Sequence, residues 1–353
     1  MKKENITILE TCPFHLSDNK IRLLWEITSR CNMKCKHCLY YSDSSHNSSH
    51  ADLDFGNIKR IIENISKDGR VSSIWISGGE PLVRADIVDV CAEISKYNIT
   101  PSISTNGILL TKELIQQFWN AGVRYIHLSI DGSSASTHDS LRRTPGAFDK
   151  LLKGLEMLAS SPITTGASFM VTENSIEEVR GVYELAKSFG LKTLSFYSPA
   201  PLGRGKSLNS NNLSLNQKLS DIIASIEPSN IKIETPRIHL KSSVDAILPS
   251  CKGFNFLTIT STGNLGACPW LMKSPFSFNV GNLLEHSFLE LVEKCQNRMR
   301  SFQENRMKTL EFCELNCPNH NRCGRGCPAL SYANSDSELY NMDPMCPLIS
   351  NVL

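Results

Sequence analysis

The sequence has no marked excess of either charge, no long apolar run and no apolar N-terminal segment. Lys and Arg number 37 and Asp and Glu 35 among 353 residues, a formal net charge of +2. Nucleic acids and anionic membranes usually require a strongly basic surface, so this balance argues against both as partners. No run of about 18 consecutive apolar residues occurs, so no membrane-spanning helix is expected. Two N-terminal lysines are followed by Glu4 and Asn5 rather than by the apolar run of a signal peptide, so we expect a cytoplasmic protein.

Cysteine, by contrast, is abundant. The chain contains 13 cysteines, and disulfides are rare in a reducing cytoplasm, where clustered cysteines usually bind metals or carry out redox chemistry. Ten of them fall into two groups, at residues 31–38 and 251–346. Cys91 and Cys295 lie in helical patterns and are expected to be small core residues, and Cys12 lies in the N-terminal tail.

Short apolar runs alternate with segments of helical period from residue 21 to residue 235. Ile58, Ile61, Ile62 and Ile65, for example, form one apolar helix face. The predicted strands are residues 21–28, 71–77, 99–105, 123–130, 164–171 and 193–197. Strands separated by helices predict right-handed βαβ units and a parallel sheet. About six units are fewer than the eight of a closed barrel, so periodicity alone fits both a doubly wound sheet and a partial barrel.

The pattern changes after residue 236. Residues 256–269 predict a β-hairpin and residues 283–295 a helix. Residues 312–345 are poor in apolar side chains and rich in Cys, Asn, Gly and Pro, so metal is expected to form the core there. The sequence thus predicts an N-terminal extension (1–20), an α/β domain (21–235) and a cysteine-rich domain (236–353).

The first cysteine group directly follows a predicted strand. Cys31, Cys35 and Cys38 lie on one loop, and three such thiolates can hold three irons of a 4Fe–4S cluster while the fourth iron has no protein ligand. The alternative is a partial zinc site. Zinc sites usually pair cysteines across equal two-residue gaps with a second pair nearby, and no second pair is near in sequence.

The segment CNMKCKHC at residues 31–38 resembles the cluster motif of the radical S-adenosylmethionine (SAM) superfamily. The resemblance implies that Cys31, Cys35 and Cys38 ligate a 4Fe–4S cluster whose open iron binds the amino and carboxylate groups of S-adenosylmethionine. Reductive cleavage would release a 5′-deoxyadenosyl radical that abstracts hydrogen from a substrate C–H bond. The implied fold is an α/β, TIM-like partial (β/α)6 barrel, open on one side. His37, between the cluster ligands, is expected to shield the cluster or lie at the surface.

Three further segments resemble the same family. Residues 78–81 resemble the GGEP motif that binds the amino group of the methionine moiety: two glycines let the backbone approach a ligand, and Glu80 can accept hydrogen bonds from an ammonium. Segments 104–107 and 129–132 resemble those after the family's third and fourth strands. All follow predicted strands, where parallel sheets carry their chemistry. The implied cofactor-binding residues are Gly78, Gly79, Glu80, Ser104, Asn106, Ser129, Asp131 and Arg142, with Arg143 as the alternative to Arg142.

The second cysteine group resembles the SPASM domain, which holds auxiliary clusters. Carried over to this sequence, the resemblance implies a distal 4Fe–4S cluster on Cys313, Cys317, Cys323 and Cys346. It implies a proximal 4Fe–4S cluster on Cys251, Cys268 and Cys327. The chain would thus hold three clusters.

One expected ligand of the proximal cluster is missing. The family's fully ligated proximal clusters have a fourth cysteine shortly before the position of Cys251, where this sequence has none. That iron is therefore either open or bound by another side chain, such as Asp245 or His239. A zinc knuckle at residues 313–327 is the alternative reading of the clustered cysteines.

SPASM-bearing enzymes mostly modify peptides, so the resemblance implies a radical enzyme that matures a ribosomally made peptide by crosslinking, epimerisation or related C–H chemistry. Partners implied are the peptide, a separate leader-binding protein and a reductant such as flavodoxin or ferredoxin. Pro269, directly after Cys268, stands where formylglycine-forming members have Asp, which disfavours that activity. The segment LLWEITSRCNMKCKHC also resembles enzymes that trim propionate side chains of haem precursors, the alternative function. A non-catalytic scaffold or electron carrier is disfavoured by the cofactor motifs.

Overall fold

The computed structural model describes residues 8–9, 20–39, 52–199, 202–208, 213–227, 229–235, 256–272 and 278–308, and single residues between 314 and 346. These residues form one sheet of 11 strands with helices connecting successive strands. The strands are β1 (Ile8–Leu9), β2 (Ile21–Thr28), β3 (Val71–Gly78), β4 (Thr100–Thr105), β5 (Tyr125–Ser129), β6 (Thr164–Met170), β7 (Thr193–Tyr197), β8 (Lys232–Glu234), β9 (Phe256–Ile259), β10 (Asn264–Gly266) and β11 (Asn279–Asn282).

The helices are α1 (Phe55–Ser66), α2 (Ile87–Lys96), α3 (Lys112–Asn120), α4 (Ala135–Arg142), α5 (Ala147–Ala159), α6 (Val179–Ser188), α7 (Leu213–Ala224), α8 (Pro269–Met272) and α9 (Phe288–Lys308). In the described part of the chain no helix is long and apolar enough to cross a membrane.

The sheet order is β1-β8-β7-β6-β5-β4-β3-β2-β9-β10-β11, and β2 to β8 all pair in parallel. The two ends of this order, β1 and β11, are not paired with each other in the described residues. The fold is therefore a mixed α/β fold whose parallel sheet is typical of a partial barrel, which confirms the predicted fold class. The six predicted strands correspond to β2 to β7, each within two residues at either end.

Two different faces explain this architecture. The outer faces of the strands are apolar and covered by helices: Trp25 of β2 and Ile76 of β3 are fully buried, as are the four isoleucines of the α1 stripe. Asp54 caps α1, since its side chain accepts a hydrogen bond from the Asn57 N–H. The inner faces carry small polar side chains at the carboxyl ends of the strands, which leaves room for a site there.

The C-terminal segment extends the same sheet. β9 pairs in parallel with β2, and β9 and β10 form the predicted antiparallel hairpin. Helix α9 begins at Phe288, five residues later than the sequence indicated. Asn64 explains the delay: its side chain donates to the carbonyls of Leu283 and His286 and accepts from the Phe288 N–H, so it holds residues 283–287 in a turn.

The structure contains elements that the periodicity did not predict. Helix α4 is mostly polar, so it has little apolar face to detect. Its start is fixed locally instead, because Ser134 accepts from the Thr137 N–H and Glu178 accepts from the Ser133 N–H and the hydroxyl of Ser134. The proposed boundary between residues 235 and 236 falls at the edge of the described residues and stays a prediction.

Candidate functional site

A cavity of about 240 Å³ lies at the carboxyl ends of strands β3 to β7, beside the cysteine loop that follows β2. Its wall includes all three cysteines of the first group and every predicted cofactor-binding residue. These are Cys31, Cys35, Cys38, Gly78, Gly79, Glu80, Ser104, Asn106, Ser129, Asp131 and Arg142. Residues distant in sequence thus converge on one space, as the carboxyl ends of parallel strands require.

The end of β3 fixes one side of the cysteine loop. The Gly79 N–H donates to the Thr28 carbonyl at 2.8 Å, and the Glu80 N–H donates to the Arg30 carbonyl at 2.9 Å. A Cβ atom on Gly78, whose φ is +117°, would lie 2.4 Å from the Thr28 oxygen. The two glycines were expected to admit a ligand to the backbone. The closest atoms that a Cβ would meet are backbone atoms leading into the cysteine loop, so these glycines position that loop in addition to lining the cavity.

The segment after β7 fixes the other side of the loop through a contact that the sequence motifs did not predict. The Arg204 N–H donates to the Cys38 carbonyl at 2.9 Å, and its Nε donates to the Cys35 carbonyl at 2.7 Å. Gly203 has a φ of +58°, and a Cβ there would lie 2.4 Å from the Cys38 oxygen. The two glycines flanking Arg204, just beyond a strand's carboxyl end, were the available signal.

The three thiols fit a metal cluster better than an apolar core. Burial raises the pKa of the Cys31 thiol to about 12 and also raises the pKa of Cys35, in spite of the neighbouring Arg142, so both thiols are neutral without a metal. Iron would supply that positive charge, and its binding would release protons from the thiols. Among the described residues, no three His, Cys, Asp or Glu side chains are close enough to hold a single metal ion. The three thiols lie around the cavity wall.

Glu80 is a buried carboxylate on the cavity wall, 1% exposed. It accepts hydrogen bonds from the Thr105 hydroxyl at 2.7 Å, the Asn106 N–H at 2.8 Å and the Leu82 N–H at 3.1 Å. Burial raises its pKa in spite of these hydrogen bonds, which lower it. A cation entering the cavity would stabilise the ionised form, so Glu80 fits the ammonium of an amino-acid moiety.

Asn106 contacts the cysteine loop. Its side-chain amide donates to the Asn32 side-chain oxygen at 2.8 Å and accepts from the Ile108 N–H at 3.2 Å. Together with the backbone bond to Glu80, these contacts link the end of β4 to the loop between Cys31 and Cys35. Asn106 therefore orients both the loop and the Glu80 carboxylate.

Arg142 and Asp131 form a buried ion pair beside the cysteine loop. The Nη2 of Arg142 lies 2.6 Å from the Asp131 carboxylate, and its Nη1 lies 3.6 Å from the Sγ of Cys35. The pKa of Asp131 is lowered: burial is the largest single effect and raises it, but Arg142, the two neighbouring histidines and the hydrogen bond from the Met170 N–H together lower it by more. Arg143, the alternative to Arg142, is exposed at the C-terminal end of α4 with a φ of +53° and is not among the cavity-lining residues.

His37 covers one side of this ion pair. Its Nε2 lies 3.7 Å from the Asp131 carboxylate, and its side chain is 12% exposed. Burial lowers the pKa of His37 to about 4, so the imidazole is neutral at pH 7. It also lines the cavity, which agrees with the predicted shielding position.

The second cysteine group is described only in part. Cys268, Cys317, Cys327 and Cys346 are partly buried, whereas Cys251, Cys313 and Cys323, and the candidate ligands Asp245 and His239, lie outside the described residues. Trp270, two residues after Cys268, lines the same cavity as the first group. The predicted core positions of Cys91 in α2 and Cys295 in α9 are confirmed, since both are buried.

Sequence profiles of two families match the chain. The radical SAM superfamily matches residues 25–186, and the SPASM iron–sulfur cluster-binding domain matches residues 251–318. An AdoMet-dependent heme synthase of Methanosarcina barkeri is 28% identical, over 93% of this chain and 97% of that protein. The mycofactocin maturase MftC of Mycobacterium tuberculosis is 27% identical, over 93% of this chain and 83% of that protein.

The fold has solved counterparts. Streptococcus suis SuiB bound to S-adenosylmethionine superposes with a TM-score of 0.73 at 19% identity, over 93% of this chain and 77% of that one. A native anSMEcpe structure with bound AdoMet gives a TM-score of 0.69 at 19% identity, over 93% and 94% of the two chains. At this identity the likeness concerns the fold alone.

Proposed function

The chain belongs to the radical SAM superfamily and carries a C-terminal SPASM domain, and on that basis we propose that it uses S-adenosylmethionine to abstract hydrogen from a peptide and thereby matures that peptide. The observation that carries the chemistry is one cavity lined by three cysteines of a single loop and by the buried carboxylate of Glu80.

Each part of the cavity wall has a role in this proposal. Cys31, Cys35 and Cys38 hold the 4Fe–4S cluster, and Glu80 accepts the ammonium of the methionine moiety. When bound, the cluster would supply an electron and S-adenosylmethionine would supply the sulfonium. Reductive cleavage of that sulfonium would give a 5′-deoxyadenosyl radical. Ser104, Ser129 and Ser168 line the same cavity and offer hydroxyls to the rest of the cofactor and to the substrate. Enclosure by the barrel keeps water from the reacting atoms.

The SPASM domain adds auxiliary iron–sulfur clusters. Cys268, Cys317, Cys327 and Cys346 are proposed as ligands together with Cys251, Cys313 and Cys323, in two 4Fe–4S clusters. Such clusters would accept an electron from a substrate radical. A flavodoxin or ferredoxin is the proposed reductant, and a separate leader-binding protein a proposed partner.

The cations of the described cavity wall already contact protein groups, which favours a peptide. The wall carries five serine hydroxyls, apolar side chains and the carboxylates of Glu80 and Asp131, and both of its guanidinium groups contact protein: Arg142 contacts Asp131, and Arg204 donates to the Cys35 carbonyl. A peptide backbone is recognised well by neutral hydrogen-bonding groups, whereas several propionates would need cations. The similarity to a mycofactocin maturase along most of the chain supports the same choice.

A second candidate is removal of propionate side chains from an iron porphyrin. The similarity to AdoMet-dependent heme synthases favours it, since one of them aligns over 97% of its own length. Two basic side chains, the half-buried Lys36 of the cysteine loop and the exposed Lys206 two residues after Arg204, could attract an anionic macrocycle.

One experiment distinguishes the two. The anaerobically reconstituted protein is incubated with S-adenosylmethionine and dithionite, and with either short peptides encoded beside its gene or iron coproporphyrin III. We expect a peptide to stimulate 5′-deoxyadenosine formation and to change mass by loss of hydrogen. Loss of carbon dioxide from the porphyrin with every peptide unchanged would replace the first proposal by the second. Absence of 5′-deoxyadenosine under all conditions would overturn both.

A further inference from the structure

We propose that Arg142, held by Asp131, sets the reduction potential of the cluster by placing a hydrogen bond and a positive charge on the sulfur of Cys35. The inference rests on one part of the proposed function, namely that Cys31, Cys35 and Cys38 hold a 4Fe–4S cluster. It assigns Arg142 and Asp131 a role different from direct contact with the cofactor. Both act through Cys35, so they are positioning residues.

The geometry places the guanidinium between a carboxylate and a thiol. Its Nη2 is 2.6 Å from Asp131, and its Nη1 donates to the Sγ of Cys35 at 3.6 Å, a normal distance for a hydrogen bond to sulfur. Arg142 is 8% exposed and Asp131 is 2% exposed. Because little water reaches either side chain, the charges are weakly screened and act strongly on the sulfur.

The carboxylate partner is fixed by three separate contacts. One oxygen of Asp131 accepts from the Met170 N–H of β6 at 3.0 Å. The backbone N–H of Asp131 donates to the Nδ1 of His138 at 3.1 Å, and His37 lies against the carboxylate. The Asp131 carboxylate therefore cannot rotate away from the guanidinium without losing the hydrogen bond from Met170 and the contact with His37, while the bond to His138 holds its backbone.

The helix that carries Arg142 is tied to the cysteine loop. The Lys36 N–H donates to the Leu141 carbonyl at 2.9 Å, and the Lys36 ammonium donates to the Ser140 hydroxyl at 2.9 Å. Asp139 accepts from the backbone N–H groups of Gly146 and Phe148, which closes the turn after the helix. The distance between Arg142 and Cys35 is thus set by short links on both sides.

The sign of the effect follows from charge. Reduction adds one electron to the cluster and increases the negative charge on its sulfur ligands, so a cation and an N–H donor at Cys35 stabilise the reduced form. Arg142 therefore raises the midpoint potential. Asp131 opposes this effect because its negative charge partly neutralises the guanidinium. Arg142 is nearer to the sulfur, so the pair as a whole raises the potential.

The signs of the two charges predict the order of the cluster's midpoint potential in four proteins. From highest to lowest potential these are Asp131→Asn, wild type, the double variant Asp131→Asn/Arg142→Met, and Arg142→Met. We expect the two single variants to differ by at least tenfold in the reduction equilibrium, which corresponds to about 59 mV for a one-electron couple. The measurement is a redox titration followed by the electron paramagnetic resonance signal of the reduced cluster. Arg143→Gln, an exposed neighbour on the same turn, should leave the potential unchanged.

Two comparisons make the outcome decisive. The signals of the auxiliary clusters are identified in a variant with Cys31, Cys35 and Cys38 all replaced by Ala, and Arg142→Met in that background should move none of them. If Arg142→Met alone fails to fold because Asp131 is left unpaired, the order of Asp131→Asn, wild type and double variant still decides. Single variants that shift the potential in the same direction, or not at all, overturn the inference. A wild-type spectrum identical to that of the triple-alanine variant overturns the proposed function as well.

Discussion

The Cα atom of Gly79 lies so close to the carbonyl of Arg30 that a Cβ atom would come 2.1 Å from its oxygen. Because the atom in the way is backbone, Gly79→Ala must displace either the end of β3 or the start of the cysteine loop. We expect a loss of about 1–3 kcal/mol in the free energy of unfolding, typical of overpacking at a rigid site. Iron content after reconstitution should fall in parallel, since the loop holds the cluster ligands.

Gly69 offers a matched control for this substitution. It lies in the turn between α1 and β3, and nothing approaches within 4 Å of a Cβ built there. Gly69→Ala should therefore leave iron content unchanged and alter stability by less than about 1 kcal/mol. Equal iron content in the Gly79→Ala and Gly69→Ala proteins would show that the loop does not depend on this backbone contact.

The second prediction separates the reactive cluster from the auxiliary ones. Replacement of Cys31, Cys35 and Cys38 by Ala should remove about four irons per chain, since each 4Fe–4S cluster contains four. It should abolish 5′-deoxyadenosine formation while the brown colour of the remaining clusters persists. Continued cleavage of S-adenosylmethionine by this variant would mean that the reactive cluster is bound elsewhere.

Strands and helices with a strong apolar period could be predicted from the sequence, because burial of one face determines where they lie. Strands β2 and β7 were predicted with the observed bounds. Helix α4 could not be predicted this way, because hydrogen bonds donated to Glu178, 36 residues beyond its last residue, hold its start. The start of α9 similarly depends on Asn64, whose position is known only once the sheet has formed.

In the candidate site, too, some features could be predicted from local sequence and others depend on tertiary contacts. Cys31 and Glu80 could be identified because local motifs carry them. The ion pair of Arg142 with Asp131 and the contact of Arg204 with the cysteine loop depend on strand order, so neither could be read from spacing. The motif glycines line the cavity, and the spacing did not predict that backbone atoms of the cysteine loop also lie against them.

The third prediction concerns Glu80 and cofactor affinity. Glu80→Gln keeps the size of the side chain but removes the negative charge that faces the cavity. Hydrogen bonds to a charged group contribute about 1.5–3 kcal/mol, so we expect S-adenosylmethionine to bind roughly tenfold or more weakly. The change in the cluster's paramagnetic resonance spectrum on addition of S-adenosylmethionine measures this affinity.

Glu93→Gln is the control, because Glu93 is also buried but lies on α2 and pairs with Lys96. Similar affinity in both variants would exclude Glu80 as the ammonium partner.

The last prediction concerns pH and a buried histidine on the inner face of β5. His127 is 6% exposed, its Nδ1 lies 3.2 Å from the hydroxyl of Tyr125, and its ring packs edge-on against Trp75. Burial lowers the pKa of His127 to about 4 in the folded protein, compared with about 6.5 when unfolded. Between these values the unfolded chain binds the extra proton, so the free energy of unfolding decreases as the pH falls from 7 toward 4. For His127 the free energy of unfolding lost between pH 7 and pH 5 is about 2 kcal/mol.

His127→Gln cannot take up the proton, so it should lose less stability over this range than the wild type, whatever its stability at pH 7. Urea unfolding of identically prepared proteins at the two pH values measures the difference. Equal pH dependence in His127→Gln and the wild type would show that His127 is protonated in the folded protein or not buried from water.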